Sequence, residues 1–156
     1  MTSIKTMVVF LALSLVATLG TALAADHLDQ LSQVDIFKGL SKAQLEKLAG
    51  VVQTRKVKQG DFLIRLKTPV SQLFALRSGA ATVRLADGKI AQRVKPGIIV
   101  GELELVSGKP ATADVFMDSD GEVMIIDYKA LRPLMDADPA MGYRIMENIA
   151  IRISGY

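Results

Sequence analysis

The chain has 156 residues, half of them hydrophobic, and a net charge of +3 at pH 7, the length of one domain plus an extra element. It has no cysteine, no tryptophan and a single histidine, which excludes disulfides and thiolate metal sites and leaves no histidines for a metal site or a catalytic triad inside a core. Lys and Arg are scattered singly rather than grouped in a stripe, so no nucleic-acid partner is expected.

Residues 1–25 read MTSIKTMVVFLALSLVATLGTALAA. Lys5 supplies a positive start, Met7 to Leu19 an apolar run, Gly20 a breaker and Ala22-Leu23-Ala24 a small-x-small site. This is the anatomy of a secretory signal peptide over residues 1–24, with the mature domain over 25–156 exported, in the periplasm. An uncleaved membrane anchor is the alternative, because Val8 to Ala25 carries no charge and is just long enough to cross a bilayer. His27 then falls at the start of the mature chain and is expected to be an exposed terminal side chain.

Leu28 to Val52 has helical spacing. Leu28, Leu31, Val34 and Phe37 fall three apart and form one apolar stripe. Ser41 is a predicted cap for a second helix, SKAQLEKLAG, with Gln44 completing a capping box and Gly50 as the stop. From Gln53 the period changes to short β-rich segments punctuated by Gly60, Gly79, Gly88 and Gly97, with Asp87-Gly88 as a hairpin signal. VFMDSDGEVMIID adds a further pair of strands around a turn at Asp118 to Gly121. Asp118, Asp120 and Glu122 lack the length and the distal glutamate of a calcium loop, so a hairpin turn is expected there.

After Asp127 the helical period returns. YKALRPLMDAD predicts a short helix interrupted by Pro133, and Asp138 with Pro139 starts a longer one. Met146, Ile149 and Ile153 form its stripe, which can pack on the strands or pair with a second copy as a homodimer. Helices, then about eight strands, then helices give an α+β fold with an antiparallel roll flanked by terminal helices.

The order and spacing of these residues resemble the cyclic nucleotide-binding domain family, shared by the catabolite activator protein, kinase regulatory subunits and gated channels. VDIFKGLSKAQLEKLA is similar to the family's entry helices. QLFALRSG matches its L-[FY]-x-[LIVM]-x-x-G strand and turn, and Pro96-Gly97 through Gly101-Glu102-Leu103 matches the approach to its phosphate-binding cassette. The resemblance implies an antiparallel, jelly-roll-like β-roll. It also implies a ligand site at Gly101, Glu102, Leu103, Ala111 and Thr112: Glu102 stands where the family holds the ribose hydroxyl, and backbone N–H groups cradle the phosphate. No enzymatic activity and no cofactor are implied, a cyclic nucleotide being the one small molecule that the cassette brings into question.

Three departures qualify the resemblance. The family's phosphate-pairing arginine directly after the proline is replaced by Ala111. An arginine fork supplies two charge-assisted hydrogen bonds of about 1.5–3 kcal/mol each, so its loss weakens cyclic nucleotide binding by at least roughly 10- to 100-fold. Lys109 lies on the wrong side of Pro110 to replace it and reads as a solvated loop residue. Upstream, Lys67 and Thr68 occupy a turn where the family usually has a glycine and an acid, so this turn must close without the residue that most easily takes positive φ. The sequence ends at Tyr156, short of the helix-turn-helix that the family's transcription factors carry, so direct DNA binding is not expected.

Glu102 and Glu104 lie two apart and would not share a helical face, so a paired-carboxylate site is not indicated. Two functional readings follow. One is a degenerate regulatory or interaction module with weak or no cyclic nucleotide binding and an unidentified protein partner. The other is a small-ligand sensor taking a cyclic nucleotide or another anion at the Gly101–Thr112 cassette.

Overall fold

A computed structural model describes residues 27–155; the signal peptide or anchor expected over residues 1–24 lies outside them. Helix α1 covers residues 27–33 and gives way to a 3-10 turn, Asp35–Phe37. The helical run expected from Leu28 therefore breaks at Val34, whose backbone is extended. The cause is local: the Asp35 carboxylate accepts the Ile36 N–H at 2.9 Å, a side-chain bond that competes with helix continuation. The apolar stripe survives the break, and Leu31, Val34 and Phe37 are all buried. His27 is half-buried rather than exposed, its Nε2 enclosed without a partner among the described residues.

Helix α2 (Lys42–Ala49) starts with the predicted capping box. Gln44 N–H donates to Ser41 Oγ at 3.3 Å, and Ser41 N–H donates to Gln44 Oε1 at 2.9 Å. Two orphan helix donors are thereby satisfied reciprocally.

Eight antiparallel strands follow: β1 (Val52–Val57), β2 (Phe62–Ile64), β3 (Gln72–Ser78), β4 (Ala81–Leu85), β5 (Ile90–Val94), β6 (Ile99–Val100), β7 (Ala113–Met117) and β8 (Gly121–Asp127). They form two four-stranded sheets, in the orders β1-β8-β3-β6 and β2-β7-β4-β5. The two central strands of the first sheet are buried on both faces. On β3, Leu73 and Ala75 pack towards the helices while Phe74 and Leu76 face the second sheet; on β8, Met124 and Ile126 alternate with Val123 and Ile125 in the same way. The period of two thus feeds two apolar clusters from one sheet. This is an α+β fold, an antiparallel β-roll flanked by helices at both ends.

The turn from Asp118 to Gly121 is not a hairpin. It carries the chain from β7, in the second sheet, to β8, in the first. Gly121 allows the crossing, because a Cβ there would sit 2.3 Å from the Ser78 carbonyl oxygen. The acids of the turn are engaged by protein groups. Asp118 accepts the Thr82 hydroxyl at 2.8 Å, Asp120 accepts the Gln59 N–H at 2.8 Å, and Glu122 pairs with Arg77 at 3.1 Å.

Helix α4 (Tyr128–Ala137) continues through Pro133 instead of being interrupted by it. Pro133 and Lys129, whose carbonyl would have taken the missing bond, are both exposed, so that carbonyl is left on the solvent side. Helix α5 (Pro139–Ser154) begins as expected, with the Asp138 carboxylate accepting the Met141 N–H at 3.1 Å and Pro139 in the first turn. Its buried stripe is Met141, Ile145 and Ile149, while Met146 is 39% exposed. Gly142 sets that orientation, since its Cα faces the Met135 backbone at the end of α4.

Candidate functional site

Helix α3 (Glu102–Ser107) follows β6 and is the short helix of the expected cassette. Gly101 caps it at φ 96°, and a Cβ there would meet the Gln72 carbonyl oxygen at 2.6 Å. The glycine is required by packing of the turn against β3. The Gly101 carbonyl in turn accepts the buried Tyr128 hydroxyl from α4. At its other end α3 stops at Gly108, φ 65°, whose N–H returns to the Glu104 carbonyl at 2.9 Å, a left-handed C-terminal cap.

Below α3 lies a cavity of about 320 Å³, at the small end of ligand-sized sites. Gly101, Glu102, Leu103 and Thr112, four residues of the expected cassette, come together around it. The rest of the wall is mostly apolar and comes from both sheets, including Ile64, Val83, Val100 and Val115. Ala111 stands apart from this set. Its methyl is buried in the cluster between the sheets, its N–H donates to the Thr68 carbonyl at 2.9 Å, and its carbonyl accepts the Lys67 N–H at 2.8 Å. Neither its side chain nor its N–H is open to a ligand, which corrects its assignment as a ligand contact. Lys67 closes this two-bond bridge at φ 63°, so the turn without a glycine does adopt the left-handed conformation.

Glu102 and Glu104 both line the cavity, although they are two apart in sequence. A helix of six residues enclosed on several sides can bury opposite faces at once, which the facing rule for longer surface helices does not anticipate. Lys109 is exposed in the loop beyond α3, and neither lysine nor arginine lines the wall among the described residues.

Arg152, near the end of α5, does not itself line the cavity but bonds two residues that do, Glu102 and Gln92, and the cassette pattern does not mark it. Its guanidinium donates to Glu102 Oε1 at 3.1 Å, to Asp35 Oδ2 at 2.6 Å, to Gln92 Oε1 at 3.2 Å and to the Ile99 carbonyl at 2.9 Å. Both members of the Glu102–Arg152 pair are deeply buried, with side chains 5% and 12% exposed. Burial pushes the Glu102 carboxyl above its ordinary range, and the Arg152 charge opposes part of that rise. Burial, followed by the charges of Glu104 and Glu102, raises the Tyr128 phenol as well, so it stays a neutral donor. The one sequence signal for Arg152 is that it follows buried Ile149 by three, which puts a cation on the core side of α5.

Comparison with known proteins gives a consistent family. Residues 54–138 match the family model of the cyclic nucleotide-binding domain. Glutaminase 1 of Bradyrhizobium diazoefficiens is 30% identical over 121 residues, covering 78% of this chain and 20% of that protein. The cAMP-dependent protein kinase type II regulatory subunit of Drosophila melanogaster is 27% identical over 107 residues, covering 69% of this chain and 28% of that protein. The chain thus spans between a fifth and a third of the length of these relatives.

Among solved structures, the regulatory domain of Toxoplasma gondii PKA with cAMP superposes with a TM-score of 0.74 at 19% identity, over 87% of this chain and 51% of that one. A cyclic nucleotide-binding domain from Methylobacillus flagellatus gives 0.73 at 17% identity, over 86% and 78%. These two likenesses show the fold. With the sequence match across both sheets and α4, they establish that the chain belongs to the cyclic nucleotide-binding domain family.

Proposed function

We propose that this chain is a non-enzymatic regulatory or interaction module, exported across a membrane, whose cassette has lost selectivity for a cyclic phosphate. The observation that carries this reading is the charge of the cavity wall: two carboxylates line it, Glu102 balanced by Arg152 behind it and Glu104 by no side chain, with no lysine or arginine among the described lining residues. The start of α3 still offers about half a positive charge. One carboxylate about 6 Å from a bound monoanion opposes it by roughly 3 kcal/mol at an effective dielectric near 20. The arginine that would reverse this balance is absent at Ala111, and its position faces the core. Exposed Tyr143, Met146 and Ile151 on α5 support an interaction role, and the leader-like residues 1–24 support export.

Calorimetric titration with cyclic AMP and cyclic GMP tests the reading. Dissociation constants weaker than about 100 μM agree with it, whereas micromolar binding overturns it. The Ala111→Arg chain is expected to gain no micromolar binding, because the new side chain enters the packed cluster instead of the cavity. Overpacking there costs about 1–3 kcal/mol of stability. For export, intact-mass measurement of a periplasmic fraction should find a chain beginning at Ala25. The full-length mass in a membrane fraction marks an anchor, and the same mass in a soluble cytoplasmic fraction contradicts export.

A further inference from the structure

Hydrocarbon, rather than any polar group, is what the cassette cavity offers a ligand. Ile64, Val83, Val100, Leu103 and Val115 line it from both sheets and from α3. The polar side chains of the same wall are accounted for. Glu102 is paired with Arg152 at 3.1 Å, and Gln92 Oε1 accepts another arm of that guanidinium at 3.2 Å. Thr112 is exposed. Glu104 forms no ion pair among the described residues, yet neither it nor any other lining side chain has an enclosed nitrogen or oxygen without a partner; the one such atom among the described residues is His27 Nε2. No buried group of the wall therefore waits for a charge or a hydrogen bond from a ligand.

The apolar character continues out of the cavity onto the surface around it. Seven large hydrophobic side chains are exposed among the described residues. Four of them gather here: Leu85 and Leu103 in the wall itself, Ile90 next to the lining residue Ala91, and Val106 three residues along α3 from Leu103. Single exposed apolar side chains need no explanation, whereas a group continuous with an apolar cavity marks a binding surface. Charged ligands fit this wall poorly. An anion finds no lysine or arginine among the described lining residues, and an ion of either sign loses its water without meeting an unpaired buried charge. No group of three or more metal-ligating side chains occurs among the described residues either. From an apolar cavity that opens through an apolar rim, with every enclosed polar atom of its wall partnered, we infer that the cassette takes a small neutral molecule of mainly hydrocarbon character, recognised by shape and not by charge. The inference rests on the proposed loss of cyclic phosphate selectivity and names the ligand class left to the site.

Two sets of probes test this in the full 156-residue chain, with amide shifts at Val83, Val100, Leu103 and Thr112 followed by NMR. The first set is butan-1-ol, pentan-1-ol and hexan-1-ol, whose affinity should rise about fourfold per added methylene, equivalent to about 0.8 kcal/mol. The second keeps one skeleton and changes its charge: cyclohexylmethanol, cyclohexanecarboxylate and cyclohexylmethylamine. The alcohol should bind tightest, the carboxylate roughly tenfold more weakly, and the amine no more tightly than the alcohol. Leu103→Ser, which takes hydrocarbon from the wall at an exposed position, should weaken all the alcohols about fivefold. Ala91→Phe, at another exposed lining position, should weaken them as well; this variant tests the place of binding even if Leu103→Ser folds poorly. Three results would overturn the inference: an alcohol series without dependence on chain length, a carboxylate or amine that binds more tightly than the alcohol, or no localised shift with hexan-1-ol up to about 20 mM. A parallel titration with cyclic AMP separates the two proposals. Micromolar cyclic AMP binding sinks the loss of selectivity and this inference together, whereas absence of both cyclic AMP binding and chain-length dependence sinks the ligand class alone.

Discussion

The cassette helix carries two buried carboxylates on the wall of one cavity, and the fold gives them different surroundings. Towards α5, Glu102 meets Arg152, which also gathers Asp35 from the entry turn and the Ile99 carbonyl from β6. Glu104, 9% exposed and also on the cavity wall, forms no ion pair among the described residues. The first arrangement is what a fold builds to hold its own parts together, since one guanidinium fork joins three chain segments far apart in sequence. The second ties no segments together, since Glu104 makes no side-chain bond to another element among the described residues. Burial alone does not distinguish a structural charge from a ligand-facing one. The partner does.

The largest break of this comparison is Arg152→Met, which keeps the apolar length of the side chain and removes the cation. Glu102 then loses the cation that pairs with it, and removing one partner of a buried pair costs about 3–5 kcal/mol. The loss should depend on pH in a definite direction. The folded-state value of Glu102 lies above its ordinary 4.5, so the native state holds this proton more tightly than the unfolded chain does. Stability from this group is complete below about 4.5 and is lost as pH rises through the folded value. Without Arg152 to oppose the rise, that value moves higher. The gap between the native chain and Arg152→Met should therefore widen from acid to neutral pH, as read by urea denaturation at several pH values. A gap independent of pH would show that the Glu102–Arg152 pair is not what the substitution breaks.

The reverse treatment, Glu104→Gln, sharpens the same comparison with a smaller effect. A carboxylate that pairs with no side chain among the described residues is replaced by a neutral group of the same shape, which is expected to leave stability within about 0.5 kcal/mol near neutral pH. Glu102→Gln should cost more, because Arg152 keeps Asp35 but loses its most buried partner. If Glu104→Gln melts several degrees lower, Glu104 is a structural charge after all.

These differences track what the sequence could reveal. The features set by neighbours in the chain were legible: the Ser41–Gln44 capping box, the Asp138–Pro139 helix start, and the turn glycines at 60, 79, 88 and 97, all with positive φ. The roll followed from the spacing of those punctuators, and the four residues around the cavity from the cassette pattern. What stayed hidden depends on partners far away. Arg152 lies 50 residues from Glu102 and 117 from Asp35, and no local pattern marks that meeting. Asp118 to Gly121 has turn chemistry that suits a hairpin or a crossing between sheets equally well, and pairing on the flanks decides which. The stripe on α5 was placed one position off at Met146, because spacings of three and four fit either of two adjacent lines on a helix. The cassette register puts Ala111 at a ligand contact, whereas two backbone bonds to the Lys67–Thr68 turn hold it inward.

That turn gives the smallest prediction, and it separates the shape of the cassette from its charge. Lys67 sits at φ 63° with no glycine to ease it, a conformation that disfavours most side chains by about 1–2 kcal/mol. Lys67→Gly relieves the strain but loosens the unfolded chain by roughly 0.5–1 kcal/mol, so the expected net gain is about 0.5 kcal/mol, read as a small rise in the denaturation midpoint. The bridge from Lys67 and Thr68 to Ala111 is made entirely by backbone groups, so glycine preserves it and leaves the carboxylates of α3 untouched. Binding of charged probes should accordingly stay as it is in the native chain. A change in their charge preference in Lys67→Gly would mean that the selectivity of the cavity comes from how this turn seats Ala111, and not from the pairing of Glu102 and the isolation of Glu104.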